Sequence, residues 1–112
     1  MESLEEYQIS FCLNYGRDNK EMEYKIKKKI KEYILISLKS IGISIDIGIF
    51  YCLDELKFMG LDVDYDENNI DIRYKGKCIF KLSKSYEYDK VYTNIEFKAK
   101  KSFLNEKENS SM

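Results

Sequence analysis

Hydrophobic and polar positions alternate along this chain with two different periods, and the switches between them mark out its elements. From Lys20 to Ile41, Met22, Ile26, Ile30, Tyr33, Ile34, Leu38 and Ile41 recur at steps of three and four, one apolar stripe on an α-helix. Asp18 and Glu21 have the spacing of a capping box at its start, and Gly42 can take the left-handed conformation that ends it. Upstream, Tyr7, Ile9, Phe11, Leu13 and Tyr15 alternate with Gln8, Ser10, Cys12 and Asn14, which is the period of a strand. A short helix capped by Ser3 and Glu6, with Leu4, Tyr7 and Phe11 on one face, is the competing reading; the repeated alternation favours the strand.

Residues 41–60 mix the two periods. Ile43, Ile45, Ile47 and Ile49 alternate, whereas Phe50, Leu53, Leu56 and the stop at Gly60 have helical spacing. The pattern predicts extended chain at Ile43 to Ile45 and then a helix from Asp46 to Met59, with most of its circumference buried.

A meander follows. Leu61, Val63 and Tyr65 alternate with Asp62, Asp64 and Asp66, and Ile70, Ile72 and Tyr74 alternate with Asp71, Arg73 and Lys75. A turn at Asn68-Asn69 joins the two runs, setting Val63 against Tyr74, Tyr65 against Ile72, Asp64 against Arg73 and Asp62 against Lys75. A three-residue loop at Lys75-Gly76-Lys77 then aligns Ile72 with Phe80 and Ile70 with Leu82. Ser83 to Lys90 reads as a polar connection, and Val91, Thr93, Ile95 and Phe97 as a fourth strand. The sum is one α+β domain over residues 1–104: two helices packed on one face of an antiparallel β-meander of about four strands, with the N-terminal run available as a fifth. Residues 105–112 read as a disordered polar tail.

Composition then narrows the chemistry. The chain of 112 residues has no histidine, which excludes Ser/His/Asp and Cys/His nucleophile systems, HExxH zinc sites and Cys2His2 fingers together. No glycine-rich phosphate loop and no CxxC pair is present. Three widely spaced cysteines, Cys12, Cys52 and Cys78, read as buried small hydrophobes in a reducing compartment. Glu2, Glu5 and Glu6 stand where a signal peptide would be basic, and the longest apolar stretch, Ile41 to Leu53, is too short for a bilayer, so a cytoplasmic location without membrane contact is expected. Seventeen lysines against two arginines point to an AT-rich genome, that of a bacterium or of a phage or plasmid living in one.

Charge supplies the candidate surfaces. The net charge of −1 conceals blocks of −3 over residues 1–19, +4 over 20–41, −7 over 42–71 and +5 over 72–112. Asp62, Asp64 and Asp66 resemble the start of an EF-hand loop, but Glu67 stands at the glycine position and Arg73 at the bidentate glutamate, so no metal is expected. With Glu67, Asp71, Asp54 and Glu55 they form an acidic row that can imitate a phosphate backbone and occupy the basic groove of a nucleic-acid-binding protein. Lys25, Lys27, Lys28 and Lys31 form the alternative, a nucleic-acid contact, although helical i,i+4 pairing with Glu21, Glu23 and Glu32 neutralises much of that face.

No carboxylate pair is singled out by spacing, so neither an enzyme nor a cofactor is expected. The leading expectation is a non-enzymatic protein-binding module, an inhibitor or adaptor that blocks a partner's surface. In its AT-skewed composition and small size the chain resembles the small inhibitors encoded by phages and mobile elements, such as anti-CRISPR proteins, a likeness of general character that no shared residue pattern carries. The rivals are a small nucleic-acid-associated regulator using the lysine helix and a structural subunit that self-associates through its acidic and basic blocks.

Overall fold

The computed structural model describes residues 2–14, 20–45 and 49–104, the side chains of 49–52 excepted. Five antiparallel strands, β1 (Glu5–Asn14), β2 (Asp62–Tyr65), β3 (Asn69–Tyr74), β4 (Lys77–Glu87) and β5 (Lys90–Ala99), form one sheet in the order β1-β5-β4-β3-β2. Two helices, α1 (Lys20–Ser40) and α2 (Ile49–Phe58), lie on the same face, α1 across β5 with lighter contact to β1 and β4, and α2 against β2. A further helical turn occupies residues 101–104. The architecture is the expected α+β class, and the N-terminal run is its fifth strand. The predicted capping box at Asp18 and the predicted polar tail lie outside the described residues.

The core forms where the strands' alternate side chains meet the helices. Phe80, Ile72, Ile95, Leu53 and Leu56 are wholly buried and pack with Phe97, Leu38, Ile34 and Val63. Each such side chain contributes about 1.5–3 kcal/mol through the apolar surface it removes from water. Tyr7 and Tyr33 stack on Phe97 with ring centroids 5.3 Å and 4.9 Å away, closing the core beneath α1. Along α1 the expected stripe is buried at Ile30, Ile34 and Leu38, half-buried at Ile26, Tyr33 and Ile41, and exposed at Met22.

Both helices end as their glycines predict. Ile43 N donates to Leu38 O and Gly42 N to Lys39 O, and Leu61 N and Gly60 N repeat the pattern on Leu56 O and Lys57 O. Gly42 and Gly60 sit at φ 90° and 89°, the left-handed geometry these Schellman motifs require of the residue after the helix.

Two expectations about the meander need correction. The β3–β4 connection is a two-residue turn at Lys75-Gly76, both at positive φ, and not a three-residue loop. A bulge follows: Arg73 faces Cys78 but Ile72 faces Phe80, so Ile79 is the extra residue. The bulge restores the expected pairs Ile72–Phe80 and Ile70–Leu82 by another route. The polar run Ser83 to Lys90 is not a connection either. β4 continues to Glu87 and pairs with β5 through to Glu87–Lys90, and Lys84 N donates to Asn68 O at 2.8 Å.

Candidate functional site

The acidic candidates lie around the β2–β3 hairpin, and its turn decides their arrangement. Asp66 Oδ1 accepts from Asn68 N at 2.7 Å and from Asn69 N at 2.9 Å, while Asp66 N donates to Asn69 O. The carboxylate thus closes a two-residue turn at Glu67-Asn68, one residue earlier than the sequence pattern suggests. The Asn68 amide, and after it Asn69, holds the Asp66 carboxyl below the usual range. Tyr86 Oη donates to Asn68 Oδ1 at 2.9 Å and ties the turn to β4.

This turn resets the register. Asp62 pairs with Arg73, Val63 with Ile72, Asp64 with Asp71 and Tyr65 with Ile70, two residues away from the expected set. Because Val63 and Ile72 point into the core, Asp62, Asp64 and Asp71 share the opposite, open face of the sheet. Two carboxylates therefore stand directly across the ladder from each other. Arg73, which stands opposite Asp62 in the ladder, turns its Nε to within 3.4 Å of Asp71 Oδ1, and Lys81 is the register partner of Asp71 on β4. Among the described residues Asp62 and Asp64 make no ion pair or side-chain hydrogen bond, and both are exposed.

The other acidic candidates do not join that face. Asp54, on α2, accepts from Tyr65 Oη at 2.9 Å on the helix side of the sheet, and this bond raises the Tyr65 pKa above its ordinary value. Lys57 Nζ lies 5.8 Å from the Tyr65 ring centroid, so that corner is already internally matched. Glu55 is half-buried on α2, and Asp66 is spent on the turn. The single acidic row of seven carboxylates is thus replaced by a trio, Asp62, Asp64 and Asp71, with Glu67 exposed at the turn beyond it.

The lysine candidates occupy a separate surface. Lys25, Lys27 and Lys28 are exposed on the first half of α1 and Lys31 is half-buried. Lys25 Nζ sits 3.9 Å from Glu21, as its i,i+4 spacing predicts, while Glu32 pairs with Lys29 at 3.7 Å. Lys27, Lys84, Asp66 and Glu67 line one cleft of about 300 Å³ together with Ile30, Ile70 and Leu82. Two of the four candidate lysines thus have acidic groups of their own chain nearby, Lys25 through Glu21 and Lys27 through the shared cleft.

The cysteines depart from expectation. Cys12 is exposed on the open face of β1, because its strand position alternates with half-buried Phe11 and Leu13. Cys78 is half-buried, with Sγ 3.6 Å from Asp71 Oδ1; burial first, and the Asp71 charge second, push its thiol pKa up. The side chain of Cys52 lies outside the described residues. Among the described residues no three His, Cys, Asp or Glu side chains are grouped to hold a metal ion, and no helix is long and apolar enough to cross a membrane.

The hydrophobic alternation misses one feature: the opposition of Asp64 and Asp71 depends on a register that Asp66 sets through its side chain. An Asp two residues before an Asn pair is the clue, since Asp favours the first position of a turn. In comparisons with known proteins, no family model, no curated protein and no solved structure matches the chain.

Proposed function

We propose that this chain is a small, non-catalytic protein-binding module that blocks a partner's surface, with Asp62, Asp64 and Asp71 as the contact. One observation supports this reading above others, the placement of Asp64 opposite Asp71 on an open sheet face. Like charges directly opposed across a ladder destabilise the isolated fold, and Arg73 offsets this only at Asp71, leaving Asp64 unmatched. A cationic partner surface removes that cost and gains from it, so the arrangement makes sense as part of a complex. Carboxylates at strand spacing suit a basic groove that otherwise holds phosphates, which favours a nucleic-acid-binding protein as the target. The finer assignment follows the same logic: an inhibitor or adaptor of the anti-CRISPR kind, from a phage or mobile element of an AT-rich bacterium, acting in the cytoplasm without a cofactor.

The test is affinity capture from such a bacterium with wild type and with the D62N/D64N/D71N variant, followed by mass spectrometry. A nucleic-acid-binding protein retained by wild type and lost by a variant that melts no lower supports the reading. Equal capture by both proteins, or no specific capture, overturns it.

A further inference from the structure

The two edges of the sheet are built differently. β2 has four residues, two of them aspartates, and short charged strands resist pairing with further chains. β1 has ten residues, and from Tyr7 to Asn14 it contains no charge, no proline and no glycine. Its one neighbouring strand among the described residues is β5, which it pairs along its whole length from Glu5–Ala99 to Asn14–Lys90. In an antiparallel ladder alternate residues turn both backbone groups away from the neighbour, so β1 offers a row of donors and acceptors at its outer edge. On the helix face Ile9, Phe11 and Leu13 are only half-buried, because α1 lies mainly over β5.

We infer that β1 pairs antiparallel with β1 of a second copy, joining two sheets into one of ten strands. The same-face rule limits the register to dyads centred on a residue. Centring on Ser10 sets Ile9 against Phe11 and Tyr7 against Leu13 on the helix face, and Gln8 against Cys12 on the open face. Glu6 then meets Asn14. A dyad at Ile9 instead sets Glu5 against Leu13 and Glu6 against Cys12, and one at Phe11 pairs fewer residues of the strand. The pairing is independent of the acidic trio, which lies at the far edge of each sheet. The dimer carries two such trios at its ends, so a partner with two basic surfaces is bound with avidity.

Sedimentation equilibrium of the full chain tests this. Wild type is a dimer, and Ser10→Lys, which opposes two ammonium groups at the dyad, weakens dimerisation about tenfold or more, whereas Ser10→Ala, which equally gives up the exposed Ser10 Oγ–Asn94 Oδ1 bond, leaves the dimer intact. In a Cys12→Ser background, Ser10→Cys cross-links under diamide, since Cα atoms opposed at the dyad lie within disulfide reach, and Gln8→Cys does not. A monomeric wild type at concentrations of hundreds of micromolar overturns the inference. So does a dimer that Ser10→Lys leaves intact.

Discussion

Ser37 of α1 donates its hydroxyl hydrogen towards the backbone carbonyl of Lys98, 2.8 Å away at the end of β5, and lies 2.9 Å from the carbonyl of Ile79. Ile79 is the bulged residue and the β4–β5 ladder begins only at Phe80–Phe97, so the hydroxyl sits where that ladder stops. One turn on, Ser40 Oγ accepts from Lys100 N at 2.9 Å. The two serines pin the second half of α1 to the end of the sheet. Ser37→Ala removes the buried hydroxyl's contacts to both carbonyls and is expected to cost about 1–3 kcal/mol, read from urea midpoints at unchanged slope.

Acid stability follows from Asp66 and Glu2. The Ser102 hydroxyl, and then its amide, lowers the Glu2 pKa, as the Asn68 and Asn69 amides lower that of Asp66. A depressed folded-state pKa stabilises above the unfolded value, and the gain is lost as pH falls through the folded value. Asp66→Ala should therefore melt below wild type at neutral pH, with the gap narrowing as pH drops below the ordinary carboxylate range. A gap independent of pH down to 2.5, or about that, contradicts the role given to this carboxylate.

The thiols are expected to separate in rate. Cys12, exposed, reacts readily with a thiol reagent in the native protein, whereas Cys78, half-buried and held protonated beside Asp71, reacts slowly until the chain unfolds. Mass spectrometry of labelled peptides over time distinguishes the two.

The lysine face is expected to bind no nucleic acid, since Lys25 is paired with Glu21 and Lys27 shares its cleft with Asp66 and Glu67. An electrophoretic shift at low salt that disappears when Lys25, Lys27, Lys28 and Lys31 become Gln would establish the rival reading; no shift for wild type is the expected result.

What was legible in the sequence was whatever local chemistry dictates alone. The 3.6-residue stripe of α1, the glycine stops at Gly42 and Gly60, and the alternation of β5 each follow from one element's own residues. Features that depend on two elements were hidden. Ser37 and Ser40 look like interruptions of an apolar stripe until the broken ladder beside them is seen. Ser83 to Glu87 shows no apolar alternation because that arm of β4 is mostly exposed, and it is a strand because β5 and Asn68 bond to it. The acidic candidates were visible as residues and not as a site, since a two-residue difference in register decides whether Asp64 faces Arg73 or Asp71.

The central claim is that the carboxylates on the open sheet face drive association with a basic partner. Its most direct test is the association rate of the captured partner with wild type and with D62N/D64N/D71N across a range of salt concentrations. Electrostatic steering by this face predicts that the variant associates more slowly at low salt, and that the two rates converge as salt screens the charges. Equal rates with equal salt dependence would contradict it.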